Sequence, residues 1–167
     1  MIFLKVKEYN RKKAVEYATN WVYKRNPRYY NFDTVGGDCT SFISQCIYAG
    51  AGIMNYKKHI GWYYNSSADR TASWSGVEFL YNFLVRNKGI GPRGNITDIN
   101  NLQVGDIIQL KLLEERFSHS LIVIDKRRNT LDDIYIATHT EDVYHRKVST
   151  YNFQDIRFIH IKDVGIY

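Results

Sequence analysis

The hydrophobic period of this 167-residue chain changes once, and that change constrains the fold more than any other feature. Up to about residue 89 the apolar residues recur at helical spacing, and beyond about residue 104 they come in short β-branched runs between polar turns. A first helix is predicted from Asn10 to about Arg25, with Ala14, Val15, Ala18, Trp21 and Val22 as its apolar stripe and Asn26-Pro27 as its stop. A second opens at Asp38, a residue type that caps helix N-termini, repeats Phe42, Ile43, Cys46 and Ile47 at helical spacing, and ends at Gly50 and Gly52. A third starts at Ser75-Gly76-Val77-Glu78, which reads as a capping box, and finishes at Gly89. The strands predicted are Val104–Leu110, Ser120–Ile124, Ile134–Thr138 and Arg157–Ile161. Three helices followed by four strands is an α+β pattern, with helices packed on an antiparallel sheet. There is no internal repeat, low-complexity tract or linker, so residues 1–167 read as one domain.

The segment between the second and third helices, residues 53–74, looks irregular and is rich in aromatics: Tyr56, Trp62, Tyr63, Tyr64 and Trp74, with His59 among them. Long loops in compact domains are often functional, so Trp62 and Trp74 are candidates to line a substrate cleft by stacking; the alternative is a loop pinned to the core by its aromatics. The chain holds 14 tyrosines, and its net charge of +6 favours anionic partners. The cations lie in small clusters (Lys5/Lys7, Arg11–Lys13, Lys57/Lys58, Lys126–Arg128) with no nucleic-acid-binding signature beside them, so a solvated basic surface is expected and no nucleic-acid partner. No apolar run reaches transmembrane length, and Met1-Ile2-Phe3-Leu4-Lys5-Val6 is too short for the core of a signal peptide.

Two cysteines are present, Cys39 and Cys46. Seven residues apart on one helix, their Cα atoms stand about 10 Å from each other, beyond the reach of a disulfide. Cys46 falls among the apolar residues and reads as a small buried hydrophobe. Cys39 follows Gly36-Gly37-Asp38 in the first turn of the helix, where the partial positive charge of the N-terminus favours a thiolate, so a depressed thiol pKa is expected. A histidine elsewhere would complete a nucleophile–base pair. His119 opens one apolar strand and His139 closes the next. If the two strands pair antiparallel, both histidines stand at the same edge of the sheet. Cysteine, base and a third group that orients the base is the logic of a thiol hydrolase. His145 and His160 read as surface or packing residues. A zinc site from Cys39, His119 and His139 would use ligand types that zinc accepts, but no short-spaced ligand pair supports it, and no G-x-S-x-G elbow supports a serine hydrolase.

Asp38-Cys39-Thr40-Ser41-Phe42-Ile43-Ser44-Gln45, Val104-Gly105-Asp106-Ile107-Ile108-Gln109, His119-Ser120-Leu121-Ile122-Val123 and Thr138-His139-Thr140 together resemble the putative amidase domain family of Gram-positive bacteria. That family is similar to the NlpC/P60 and CHAP cysteine peptidases, and the resemblance covers about residues 9–160. It implies a papain-like fold, Cys39 as nucleophile and His119 as general base, with no cofactor and no metal. It implies a third polar residue on the following strand, a place that His139 matches, with Glu141 or Asp142 as alternatives. It also implies a tyrosine near the oxyanion hole, for which Tyr29 or Tyr30 is the counterpart, beside the Asp38-Cys39 backbone. The substrate implied is an amide in peptidoglycan or a related bacterial peptide. Two other readings stand beside it: a papain-like acyltransferase or deamidase acting on a protein, and a wall-binding module that keeps the fold without the activity. Oligomeric state and cellular address are not written in the sequence.

Overall fold

The computed structural model describes residues 3–167; Met1 and Ile2, the start of the segment read as too short for a leader, lie outside the described residues. The chain begins with strand β1 (Lys5–Lys7) and helix α1 (Arg11–Trp21), continues through α2 (Cys39–Ala51), α3 (Ala72–Ser75) and α4 (Val77–Arg86), and then forms six strands. These are β2 (Gly91–Thr97), β3 (Ile107–Lys111), β4 (His119–Lys126), β5 (Ile134–Thr138), β6 (Val143–Lys147) and β7 (Asp155–Ile166), with short 3₁₀ turns at Leu131–Asp133 and Val148–Thr150. The architecture is α+β, as the single change of period predicts.

All strands pair antiparallel in one sheet of order β1-β7-β3-β4-β5-β6, with β2 also on β7. Because strand side chains alternate, the two faces of the sheet fill different cores. Ile107, Ile122, Ala137 and Ile159 pack under the helices against Phe42, Ile43, Cys46 and Ile47, whereas Ile108, Leu110, Leu121, Val123 and Ile136 face Leu102 and Val148 on the other side. Both faces are covered, so β3 to β5 read as continuous apolar runs rather than as alternation. Each fully buried aliphatic side chain of α2 contributes roughly 1.5–3 kcal/mol by leaving water.

Several features differ from the sequence expectation, and three of the differences have a tertiary reason. Helix α1 is capped by Asn10, whose side chain accepts from the Lys13 N–H, but it ends at Trp21 rather than near Arg25. The Arg25 guanidinium turns away to hold Asp33 and Asp142. The third helix breaks at Gly76 into α3 and α4; a Cβ there would come within 2.8 Å of the Phe79 ring. No capping box forms, since no side-chain bond caps either segment and Glu78 accepts instead from Arg157 on β7. Seven strands replace the expected four, because β1 is three residues of edge strand, β2 carries Gly91, Pro92 and Gly94, and β6 is polar and partly exposed. None of the three has the β-branched pattern by which strands are read.

One cluster fixes the helices to the sheet. Asp106, fully buried at the turn into β3, accepts from Arg11 Nη1 at 2.7 Å, from the Ile161 N–H and the Gln103 N–H, and lies 2.9 Å from His160 Nδ1. Arg11 adds bonds to the carbonyls of Val104 and Ile161. The cation expected on a solvated surface is therefore the tie between α1, β3 and β7. His160 is a packing residue. His145 stacks on Tyr135 with ring centroids 4.1 Å apart.

Candidate functional site

Cys39 is the first residue of α2, and only 6 % of it is exposed. As the first helical residue it carries an N–H with no acceptor inside the helix. Gly36 and Gly37 lead into it with φ of 82° and 93°, a left-handed path that glycine follows without strain. Gly37 runs close to the strand end opposite: a Cβ there would stand 3.3 Å from the Thr140 hydroxyl.

A buried polar chain seats the start of α2 on the sheet. The Thr40 hydroxyl lies 2.9 Å from the Ser120 hydroxyl, which accepts from the Gln109 amide at 3.2 Å. Gln109 in turn donates to the Val77 carbonyl and accepts from Arg157. The Ser120 carbonyl accepts from Thr138 of β5, and the Cys39 sulfur lies 3.7 Å from the Thr40 hydroxyl. Thr40, Gln109 and Ser120 were not singled out as functional from sequence. Their polarity inside apolar runs was one signal, since all three are buried, and each stands in a motif of the family resemblance.

His119 begins β4, immediately before Ser120, and its ring lies 5.7 Å from that of Tyr151. Burial, aided by the nearby Arg146 cation, pushes its pKa down to about 4, so the ring is neutral at physiological pH. The Cys39 thiol moves the other way from expectation. Burial is the leading cause and raises its pKa, and the neighbouring Asp38 carboxylate adds to the effect, against the contribution of the Ser120 and Thr40 hydrogen bonds. At rest Cys39 is thus a thiol and His119 a neutral imidazole. Cys46 is fully buried and its thiol is pushed up further.

Asp38 does not cap α2 with its side chain. Its carboxylate turns back to accept from the Phe32 N–H at 2.9 Å and lies 2.6 Å from His139 Nδ1. His139 donates through Nε2 to the Trp21 carbonyl and stacks on Phe42 at 3.9 Å. The register of β4 with β5 does bring His119 and His139 to one end of the sheet. Both nitrogens of His139 are nevertheless engaged with Asp38 and Trp21, so it does not orient His119 by a hydrogen bond. Asp142 is taken by Arg25 at 2.9 Å through both oxygens, and exposed Glu141 lies 4.0 Å from Arg146. Among the described residues no hydrogen bond joins His119 to any of the three. What sequence reading passed over here is Tyr151 and Arg146, whose guanidinium carbon sits 3.7 Å over the Tyr151 ring. They lie on β6 and just after it, where the strand signal was weak.

The aromatic candidates face inward. Trp62 and Trp74 are fully buried, 5.0 Å apart, with the Trp62 indole donating to Ser44; they pin the loop to the core and offer no face to a ligand. Tyr29 stacks on Trp74, and Tyr30 is exposed with its ring against Phe32 and its N–H donating to Tyr64. His59, with φ of 67°, lines a cavity of about 660 Å³ with Lys57, Phe79, Arg86 and Lys88, just after the C-terminal end of α2 rather than beside Cys39. Among the described residues no group of three or more His, Cys, Asp or Glu side chains could hold a metal ion, and no helix is long and apolar enough to cross a membrane.

Fold and site together define an α+β domain with a cysteine at the first position of α2 and a histidine at the first position of β4. The chain belongs to the putative amidase domain family, whose model matches residues 8–162. The description of that family points to hydrolysis of amide bonds. It is also 30% identical over 135 residues to the uncharacterized protein YhbB of Bacillus subtilis (strain 168), an alignment covering 79% of this chain and 42% of that relative. The chain thus spans less than half the length of the relative it matches. No solved structure matches it significantly.

Proposed function

We propose that the protein is a papain-like cysteine amidase, related to the NlpC/P60 and CHAP enzymes, that hydrolyses an amide in peptidoglycan or a related bacterial peptide. The observation that carries this reading is Cys39 at the first position of α2, next to Thr40, whose hydroxyl lies 2.9 Å from that of Ser120, the residue that follows His119. In the proposed cycle His119 takes the proton of the Cys39 thiol as the sulfur attacks the amide carbonyl. The Cys39 N–H and a second donor, Tyr29 or Tyr30, hold the oxyanion. The C–N bond breaks as His119 returns its proton to the leaving amine, which leaves a thioester. Water, deprotonated by His119, then attacks the thioester; the carboxylate departs and the proton restores the thiol. A neutral imidazole suits the first step, since it can accept the proton without first losing one. The basic surface suits an anionic wall polymer.

One observation favours the second reading, a wall-binding module without activity: burial raises the Cys39 thiol instead of lowering it. Incubation with peptidoglycan fragments, followed by quantification of new amines and carboxylates, separates the two. Cleavage lost in Cys39→Ser and kept in Cys46→Ser supports the amidase. Binding without cleavage by the wild-type protein sinks it, and release of ammonia or formation of a new amide identifies the deamidase or acyltransferase instead.

A further inference from the structure

Arg146 differs from four other partly buried arginines in what it lacks. Arg11, Arg25, Arg93 and Arg157 each hold a carboxylate at 2.5 to 2.9 Å. Arg146 is fixed on one side only: Nε donates to the Thr150 hydroxyl at 2.9 Å and one terminal nitrogen, Nη2, donates to the Thr150 carbonyl at 3.2 Å. The other, Nη1, has only Glu141 as an acidic neighbour, at 4.0 Å, on a side chain that is 85% exposed. An exposed pair at that distance contributes little. The guanidinium is further held flat over the Tyr151 ring at 3.7 Å, and that ring is the one beside His119. The result is a preorganised cation with one edge only weakly engaged, stacked on the ring that neighbours His119. A planar guanidinium held in this way recognises carboxylates by geometry as well as by charge. Its field reaches the site: the Tyr151 hydroxyl feels both Arg146 and the Cys39 thiol, and the His119 ring feels Arg146.

We infer that Arg146, seated on Tyr151 with Nη1 engaged only by exposed Glu141, is a carboxylate-binding subsite at the His119 end of the sheet, so that the amide this protein takes carries a carboxylate next to the bond to be cut. The inference rests on Cys39 as the reacting thiol, and its test needs no knowledge of the natural substrate. Iodoacetate and iodoacetamide alkylate the same sulfur by the same displacement, with iodide leaving, and differ in that the first carries a carboxylate. Their rate ratio at Cys39, resolved from Cys46 by peptide mass mapping, cancels any change in thiolate fraction. Relative to the ratio for free glutathione, Cys39 should favour iodoacetate about fivefold, the size expected of one cation several ångströms away in a partly solvated cleft. Arg146→Gln should return the ratio to that of glutathione, Arg146→Lys should keep part of the preference, and added salt should weaken it in the wild type. An equal ratio in wild type and Arg146→Gln overturns the subsite while leaving the nucleophile intact. Alkylation of Cys39 by neither reagent faster than Cys46 overturns the nucleophile, and the subsite with it.

Discussion

His119 sits nearly dry at the first position of β4, with a cation close by, and the two effects act in the same direction. Burial alone disfavours the imidazolium, and the Arg146 charge disfavours it further. In the unfolded chain this histidine takes a proton near pH 6.5, in the folded chain only near 4. Between those values the unfolded state binds more protons, so stability is complete above about pH 6.5 and falls as pH drops toward 4. At pH 5 the loss from this one residue is about 2 kcal/mol, a figure obtained from linkage. Urea midpoints at pH 7.5 and pH 5 should therefore separate more in the wild type than in His119→Gln. If His119 is the base, the acid limb of kcat/KM lies near pH 4 rather than near 6.5. The same scale explains the contrast between the two thiols. Both are raised, but Cys39 keeps hydrogen bonds that offset part of the cost of ionising, whereas the Cys46 sulfur lies fully enclosed in the helix–sheet core.

At the scale of elements, the position of the start of α2 depends on two polar networks. One runs from Thr40 through Ser120 and Gln109 to Arg157, and ties the helix to β3, β4 and β7. The other runs from Arg25 and Asp38 through His139 to the Trp21 carbonyl, and ties the glycine loop to the end of α1 and the end of β5. Removing one member of such a network leaves a buried partner unsatisfied. His139→Ala leaves Asp38 Oδ2, on a residue 1% exposed, with only Arg25 at 3.5 Å, and should cost about 2 kcal/mol, read as a lower denaturant midpoint with an unchanged m-value. His139→Gln restores one donor and should recover part of that loss. In both variants the acid limb of Cys39 alkylation should stay where it is in the wild type, since His139 does not bond to His119. A limb that moves with His139 would restore it as the group orienting the base. The predicted Asp38 cap illustrates how far a local rule reaches. The residue stands at the capping position, but a histidine 101 residues later competes for its carboxylate and the helix N–H groups do not receive it.

Over the whole molecule, Asp106 bears the most concentrated electrostatic load. Fully buried, it receives Arg11, His160 and two backbone N–H groups from segments that are far apart in sequence. Asp106→Ala removes the acceptor for all of them and should destabilise by about 3–5 kcal/mol, the range for breaking a buried ion pair from one side. Thermal melting of Asp106→Ala and Arg11→Met would check this, the second falling less because Arg11 is partly exposed. What the sequence alone determined is what rests on local pattern: the α+β class, the start of α1, the helix that begins at Cys39, the span of β5, and two thiols that cannot pair. Period, capping chemistry and chain reach act within a few residues, so they can be read from neighbours. Tertiary structure alone decided which polar groups meet. It sent Trp62 and Trp74 into the core, gave His139 to Asp38 and Trp21, raised the Cys39 thiol by burial, and placed Arg146 and Tyr151 beside His119. A buried hydrogen bond or a desolvated charge depends on who arrives from across the fold, and no local window of sequence carries that.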